Sequence, residues 1–382
     1  MTHTLTAGKG SKDSLLNAAL GLFSEKWYGV VSVAEICRRA GVSNGLFYRY
    51  YRDKESVFKE ILELVITKIA DSIRAVEGKS PAERLKSFSS IIFEFSQRNQ
   101  ALVRVFREGQ YRLFEYERRL KSVYEDGLGK AIGQAAGQTP SPAAYIFALG
   151  GLRFAAIQKA FYGIPVVFED LAGFVEHGLF PGESFNPDTV FSTSISRAPI
   201  QLLPGSRERL LNEGKELMGR QGYHQTNIHE ITSAAGLSTG AFYTYFDTKE
   251  SFFGELIHHV GSDLRRFITL NLGPGLTPLE RELRGLWLFI VYLSLDKTCY
   301  RLVREAEFVL PSAARSYYDA FIRGYLKQMQ GSGGPDKITK IEFLLGVAHY
   351  LGMEVVFDKS PETARSIIST IGNYYVKGIF GA

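Results

Sequence analysis

Apolar residues recur every three or four positions near the start of the chain, between residues 12 and 26. This spacing places side chains on one face of an α-helix, so the stretch predicts an amphipathic helix with one buried stripe. The apolar positions of the stripe are Leu15, Leu16, Ala19, Leu20 and Phe23.

Just beyond this helix, the pattern predicts two short helices separated by a tight turn. Ile36 and Ala40 lie four positions apart on one face, and Gly41 supplies the turn. Ser43 has the hydroxyl that caps a helix N-terminus, and Phe47 returns an apolar position one turn later. This spacing is typical of a helix-turn-helix.

The same pattern occurs a second time, at a constant offset of 195 positions and without a gap. Leu15 corresponds to Leu210, and Lys54 corresponds to Lys249. The chain is therefore a tandem duplication. Other matching residues are Glu35 with Glu230, Ile36 with Ile231, Gly41 with Gly236, Ser43 with Ser238, Gly45 with Gly240, Phe47 with Phe242, Tyr48 with Tyr243, and Tyr50 with Tyr245.

Clusters of proline, glycine and serine divide the chain into five segments. Each motif region is followed by a longer region in which apolar periodicity predicts further helices. The segment between the halves contains four prolines, has no helical period and is expected to be a linker. The predicted segments are a first helix-turn-helix domain at 1–78, a first helical domain at 79–180, the linker at 181–205, a second helix-turn-helix domain at 206–273, and a second helical domain at 274–382.

At the motif residues, both copies resemble the TetR family of bacterial transcriptional regulators, whose signature reads roughly A-G-V-S-x-G-x-x-Y-x-[HY]-F-x-x-K-E. The matching segments are AGVSNGLFYRYYRDKESVF and AGLSTGAFYTYFDTKESFF. The resemblance implies an all-α fold with two TetR-like repeats. Each repeat would be a helix-turn-helix DNA-binding domain followed by a helical domain that binds an effector and dimerises.

The resemblance also implies that each motif places its second helix in the major groove of double-stranded operator DNA. Asn44 has the amide that pairs with adenine, Leu46 can contact a thymine methyl, and Gly45 lets the backbone approach. Core packing is the alternative role for Tyr48 and Tyr50. The residues expected to contact DNA are Ser32, Asn44, Gly45, Leu46, Tyr48, Arg49, Tyr50 and Lys54 in the first repeat, and Asn227, Thr239, Gly240, Ala241, Tyr243, Thr244, Tyr245 and Lys249 in the second.

The two motifs differ in charge. Residues 1–60 contain nine basic and six acidic side chains, whereas residues 205–258 contain five basic and seven acidic side chains. Because phosphate neutralisation supplies much of the affinity for DNA, the first motif should dominate binding. The reading surfaces also differ, so we expect an imperfect or asymmetric operator.

Polar residues recur at matching places in the helical domains. Arg104 corresponds to Arg301 at an offset of 197, so the whole unit was duplicated. In the family that the chain resembles, a small effector lies among these helices. We expect the effector of this chain to be largely apolar. A network of ion pairs between helices is the alternative role for these polar groups. The candidate effector residues are Arg104, Arg107, Glu108 and Tyr111, and Arg301, Arg304, Glu305 and Phe308.

The expected assembly is an intrachain pseudo-dimer, in which the two repeats pair through their last helices. In one alternative, repeats from two chains pair and form a homodimer of chains. In another, the second repeat is a sensing or dimerising module without DNA affinity. Ala148, Gly150, Gly151 and Ala155 are small enough for close helix approach, either between repeats or within one.

The composition excludes several classes of protein but does not point to one function. The chain has 382 residues, 45% of them hydrophobic, and a net charge of +5, which permits DNA binding without requiring it. Two cysteines cannot build a disulfide framework or a zinc site, and no signal peptide or membrane span is expected. We therefore expect a cytoplasmic protein without metal or cofactor. No catalytic constellation argues for an enzyme.

Overall fold

The computed structural model describes residues 10–135, 137–192, 194–196, 205–329, 334–358 and 363–381. Every regular element in these ranges is helical, which confirms the predicted all-α class. Among the helices described, none is both long and apolar enough to cross a membrane.

The first half begins with the predicted motif and continues with longer helices. A 3-10 turn at Tyr28–Val30 follows the first helix. The helices are α1 (Ser11–Glu25), α2 (Val33–Ala40), α3 (Asn44–Tyr50), α4 (Lys54–Ile73), α5 (Pro81–Arg98), α6 (Gln100–Arg112), α7 (Phe114–Ile132), α8 (Pro142–Tyr145), α9 (Gly151–Tyr162), α10 (Phe168–His177) and α11 (Pro187–Val190). A π-helical stretch, Ile146–Gly150, joins α8 to α9.

The second half repeats this order. A π-helical stretch, Met353–Asp358, follows α19. The helices are α12 (Ser206–Gln221), α13 (Ile228–Ala234), α14 (Thr239–Tyr243), α15 (Lys249–Asn271), α16 (Pro278–Leu295), α17 (Lys297–Val309), α18 (Pro311–Gln328), α19 (Pro335–Gly352) and α20 (Ala364–Gly381).

Side-chain caps start the motif helices where the sequence predicts them. The hydroxyl of Ser43 accepts a hydrogen bond from the Leu46 N–H, and Ser238 caps α14 in the same way. Gly41 ends α2 with a left-handed φ of 69°, a conformation that glycine adopts without steric cost. Thr248 caps α15 through its hydroxyl, which accepts a hydrogen bond from the Ser251 N–H. These caps satisfy backbone N–H groups that a helix leaves unpaired.

The described chain forms two compact units, and they are not the two sequence repeats. The first unit contains the described residues up to Ser141 together with Leu152–Phe168. Its DNA-binding part is held by an aromatic cluster in which Phe58 meets Phe23 and Tyr28, with ring centroids 5.1 and 4.8 Å apart. This cluster packs α1, the 3-10 turn and α4 together.

The second unit contains Pro142–Gly151 and the described residues from Glu169 onward. Within it, segments from both sequence halves pack closely. A Cβ atom placed on Gly151 would lie 2.6 Å from the ring of Phe343. The backbone N–H groups of Leu179 and Phe180 both donate to the carbonyl of Tyr375, at 2.7 and 2.8 Å. Helices α8 and α10 thus share this unit with α19 and α20.

Part of the predicted linker is structured. The sequence predicts no helix at 181–205, yet α11 forms one turn there because Asn186 caps it and Pro187 occupies its first position. The guanidinium of Arg284 donates to the carbonyls of Val190 and Ser192, which fastens the turn to α16. Residues 193 and 197–204 of this segment lie outside the described residues. The five segment boundaries stay a prediction.

Candidate nucleic-acid interface

Helix α3 exposes its tyrosines and buries its phenylalanine. Phe47 is fully buried, whereas Tyr48 and Tyr50 are 61% and 42% exposed. Core packing therefore does not account for these two tyrosines. The other exposed residues predicted to contact DNA in this repeat are Ser32, Asn44, Gly45 and Arg49.

Helix α14 presents the same arrangement. Phe242 is fully buried, and Tyr243 and Tyr245 are 54% and 44% exposed. Leu46 in the first repeat and its counterpart Ala241 are both half-buried. Both motifs thus offer a convex aromatic and polar surface on a short, capped helix. The exposed predicted contacts that complete the second surface are Asn227, Thr239, Gly240 and Thr244.

Lys54, predicted to contact phosphate, points back at the protein. Its ammonium group donates to the carbonyls of Tyr28 and Val31, at 2.9 and 2.8 Å. A third contact, of 3.3 Å, reaches the carbonyl of Gly29. The nitrogen also lies 4.4 Å from the centre of the Tyr28 ring. Lys54 therefore clamps the 3-10 turn, and its phosphate contact stays a prediction.

Lys249 repeats this contact in part. Its ammonium nitrogen lies 4.3 Å from the centre of the Tyr223 ring, the counterpart of Tyr28. No hydrogen bond joins the Lys249 side chain to the described residues. Burial lowers the pKa of both Lys54 and Lys249. Both lysines therefore lie over a tyrosine ring, but only Lys54 also donates hydrogen bonds to described backbone carbonyls.

Two predicted effector residues lie against the DNA-binding domains. Glu108 on α6 accepts a hydrogen bond of 2.9 Å from the Tyr28 N–H, and Glu305 on α17 accepts bonds of 3.0 Å from the Tyr223 N–H. Both carboxyl groups are almost completely buried. Each repeat therefore uses the same carboxylate to fasten a helix of its helical domain to the loop after its first helix.

Burial raises the pKa of Glu108 to about 8. The Tyr28 N–H, Arg112 and Lys54 act in the opposite direction, because each stabilises the carboxylate. The Arg112 guanidinium lies 4.3 Å from the centre of the Tyr28 ring. Glu108, Tyr28, Lys54 and Arg112 therefore form one cluster, in which charge and aromatic contact hold two domains of the first unit together.

The remaining predicted effector residues have varied surroundings. Arg104 is exposed and its guanidinium lies 5.0 Å from the Phe161 ring centre, while Arg107 is buried. Arg304 is buried and pairs with Glu307 at 2.6 Å, which fits the predicted ion-pair alternative. The others are Tyr111 and Phe308, which are half-buried, and Arg301, which is exposed.

A cavity of about 650 Å³ lies inside the second unit, among helices α15 to α19. Arg304 is the predicted effector residue that lines it. The polar lining also includes Glu282, whose carboxylate accepts a hydrogen bond of 2.8 Å from the Tyr325 hydroxyl. A volume of this size is ordinary for a pocket that holds a small organic molecule.

Sequence reasoning missed several of these residues. Tyr28 and Tyr223 are matched at the offset of 195, and this repetition could have marked them. Glu282 and Tyr325 carry no such signal, because they come together only when α16 packs near α18. The cavity is a tertiary feature and has no local pattern in the sequence.

Comparison with known proteins also finds two copies of the motif region. The family model described as bacterial regulatory proteins, tetR family, matches residues 15–61 and again residues 210–256. These ranges contain the helix-turn-helix and the start of the following helix in each repeat.

Individual relatives match this chain over about a hundred residues. The HTH-type transcriptional repressor DhaR of Mycobacterium sp. (strain GP1) is 32% identical over 97 residues, which is 25% of this chain and 46% of the relative. The HTH-type transcriptional regulator BetI of Serratia proteamaculans (strain 568) is 29% identical over 99 residues, 25% of this chain and 50% of the relative. The chain thus spans about half the length of these relatives.

Among solved structures, the fatty acid degradation regulator FadR from Bacillus halodurans matches with a TM-score of 0.37 and 14% sequence identity. The match covers 49% of this chain and 100% of that one.

Proposed function

Since both halves of the chain belong to the tetR family of bacterial regulatory proteins, we propose that it is a ligand-responsive transcriptional repressor that binds one operator as an intramolecular pseudo-dimer. The observation that carries the proposal is that both halves expose the same kind of surface for contacting DNA. Each half places two exposed tyrosines and a serine-capped helix start over a fully buried phenylalanine. Such a regulator works in the cytoplasm, where the chromosome lies.

The proposed contacts follow from the groups that each surface exposes. In the first motif, the Asn44 amide hydrogen-bonds an adenine edge, while Tyr48 and Tyr50 flank it. In the second motif Thr239 takes the position of Asn44. A hydroxyl and an amide read different bases, so the two half-sites differ in sequence. A recognition helix spacing of about 34 to 36 Å would place them one turn of DNA apart.

Charge supports a dominant first motif. Its region carries three more basic than acidic residues, whereas the second region carries two more acidic than basic residues. The first motif thus gains more from counterion release, and the second contributes mainly through its attachment to the same chain. Two weak half-sites joined in one molecule bind more tightly than either alone.

Packing inside the second unit supports the pseudo-dimer. There, α8 and α10 of the first repeat lie with α19 and α20 of the second, which are the segments expected to pair. The Phe147 ring meets Phe343 and Tyr374, with centroids 5.6 and 5.3 Å apart. Gly150 approaches Tyr350 so closely that a Cβ atom there would lie 2.9 Å from the Tyr350 Cβ. This tight, aromatic contact surface resembles a protein core more than a transient interface.

Helix α17 supports a route from effector to DNA. Arg304 lines the cavity, and the next residue, Glu305, holds the backbone of Tyr223. A ligand that displaces α17 would therefore move the loop that positions the second motif. In this proposal the effector lowers operator affinity by changing the placement of that motif.

A second candidate keeps the family but changes the role of the second repeat. Its motif region is net acidic, and α14 has five residues where α3 has seven. On this view the second repeat senses the ligand or dimerises without binding DNA, and two chains occupy each operator. The exposed Tyr243 and Tyr245 argue against it, because they reproduce the exposed Tyr48 and Tyr50 of the first motif.

Sedimentation of the chain with its operator separates the two candidates. The operator would first be selected from random duplex DNA by the chain itself. The pseudo-dimer gives a complex with one chain per duplex, and the free chain sediments as a monomer. Two chains per duplex would instead favour the second candidate.

A further inference from the structure

The cavity of the second unit is lined by more positive than negative charge. Five basic side chains line it, whereas the acidic lining is Glu282. Three of the cations have local partners. Arg304 pairs with Glu307, while Lys340 and Lys337 donate to the carbonyls of Leu179 and Met329, at 2.7 and 3.5 Å. The other basic residues of the lining are Arg265 and Arg281.

Arg265 and Arg281 have no carboxylate partner in the described part of the chain. Within the described residues, neither side chain makes a hydrogen bond or an ion pair, and the Arg265 guanidinium instead lies 5.5 Å from the centre of the Phe321 ring. Burial lowers the pKa of Arg265. Tyr317 acts in the opposite direction, and the nearby charge of Arg323 acts in the same direction as burial. A half-buried guanidinium without a counter-charge is costly, and a bound anion would relieve that cost.

Both arginines lie toward one end of the α15–α16 pair. A short connection at 272–277 joins the helices, so the last turns of α15 lie beside the first turns of α16. Thr269, one turn beyond Arg265, lines the cavity and is exposed to solvent. Gly324 on α18 is also an exposed lining residue. The arginines therefore lie near the mouth of the cavity.

The buried part of the lining is mostly apolar, although the buried Glu282 and Arg304 also belong to it. Leu286, Val303 and Leu344 line the cavity and are at most 5% exposed. Removing an apolar group from water into such a site is favourable, whereas a second charge there would lack a partner. The cavity thus has two arginines near its mouth and a mostly apolar interior.

We propose that the effector is an amphipathic organic anion, whose carboxylate or similar group binds Arg265 and Arg281 while its apolar body fills the cavity. This inference rests on the proposed function, because it names the ligand class of the same regulator. It excludes apolar cations, for which the arginines would be repulsive, and it makes the second repeat a sensor.

Calorimetric titration of the full chain tests the charge requirement. Hexanoate, octanoate and decanoate would be compared with alkylammonium ions of the same lengths. We expect the carboxylates to bind, more tightly as the chain lengthens, and at least tenfold more tightly than the matched amines. Equal or tighter binding of the amines, or no binding of any carboxylate, would overturn the proposal.

Neighbouring arginines provide the matched control. Arg265→Ala and Arg281→Ala should each weaken decanoate binding by about tenfold, the usual loss of a charge-assisted hydrogen bond. Arg266→Ala removes an exposed arginine that does not line the cavity and should leave decanoate affinity unchanged. Arg281→Lys keeps the charge and should retain part of the affinity, which separates lost charge from misfolding. A loss in Arg266→Ala as large as that in Arg265→Ala would contradict the site.

Operator binding without ligand is measured separately, by fluorescence anisotropy of labelled duplex. If the wild-type chain binds its operator but no carboxylate, the ligand class is wrong and the regulator proposal stands. If the chain binds decanoate but selects no DNA sequence, the regulator proposal fails and the anion site stands.

Discussion

The carboxylate of Glu108 accepts a 2.9 Å hydrogen bond from the backbone N–H of Tyr28, a residue 80 positions earlier in the chain. The second repeat reproduces the bond between Glu305 and Tyr223. In both repeats a buried acid on a helix of the helical domain thus holds the loop that precedes the reading motif. This relationship joins the two domains of each repeat, and it explains why this acid occurs in both copies.

Removing the Glu108 carboxylate should destabilise the first unit. Glu108→Ala leaves the Tyr28 N–H without its partner in a buried place, at an expected cost of about 1–3 kcal/mol in the free energy of unfolding. Urea denaturation measures this cost. Glu115→Ala is the control, because Glu115 is exposed and should change stability by less than about 0.5 kcal/mol. Equal effects of the two substitutions would show that the bond contributes nothing.

Stability should fall as the pH rises from about 5 to about 8. Folding raises the pKa of Glu108 to about 8, so the folded chain holds this proton more tightly than the unfolded chain does. The stability that proton binding to Glu108 contributes is fully present below the ordinary carboxyl pKa. It is lost as the pH rises through the pKa of Glu108 in the folded chain. Burial also raises the pKa of Glu282 and Glu342 to about 7, which adds to the same trend.

Glu108→Gln isolates that contribution, because glutamine keeps a carbonyl acceptor but does not titrate. Urea denaturation at several pH values should show a smaller loss of stability in the variant, by about 1.4 kcal/mol for each pKa unit removed. An unchanged pH dependence would mean that Glu108 does not titrate in this range.

Tyr48→Ala should separate DNA reading from folding. Because Tyr48 is 61% exposed, we expect little change in stability but at least about a tenfold loss of operator affinity. Phe47→Ala is the contrasting variant, since it empties a fully buried site and should cost about 3–5 kcal/mol of folding free energy. A Tyr48→Ala variant that binds the operator normally would remove this residue from the interface.

Lys54→Ala should weaken operator binding more than Lys249→Ala, as the charge of the two motifs predicts. Lys54 also clamps the 3-10 turn, so the loss alone does not identify a phosphate contact. The salt dependence of binding identifies a phosphate contact. Loss of one such contact reduces the steepness of log affinity against log salt concentration by about 0.9. Equal losses in the two variants would contradict a dominant first motif, and an unchanged slope would make Lys54 purely structural.

Gly151→Ala should destabilise the second unit by about 1–3 kcal/mol, because the added methyl group would overlap the ring of Phe343. Gly173→Ala is its control, since a Cβ atom there meets nothing within 4 Å. Thermal unfolding followed by circular dichroism compares them. If both glycines tolerate alanine equally, the close approach of Gly151 to Phe343 is not required.

The local parts of this fold were readable from the sequence. Ser43 and its counterpart Ser238 begin helices where their side chains predict caps, because capping depends on residues within one turn. The exposed faces of α3 and α14 follow from the same local spacing. The family model matched both motif regions, as their spacing predicted.

Long-range relationships were not readable in this way. The partner of Glu108 is a backbone N–H, and a backbone group leaves no residue type to recognise. The cavity depends on how helices α15 to α19 pack, so Arg265 and Arg281 are unremarkable in the sequence. The short turn α11 was missed because its prolines suggested a linker, although proline is also favoured at the first position of a helix.

The central claim is that one chain reads two different half-sites. Hydroxyl-radical footprinting on the selected operator tests it most directly, with the wild-type chain and with Tyr48→Ala and Tyr243→Ala. The account predicts two unequal protected regions about one helical turn apart, with the weaker region lost in Tyr243→Ala and the stronger one in Tyr48→Ala. A strict palindrome with equal protection of both arms, unaffected by Tyr243→Ala, would contradict it.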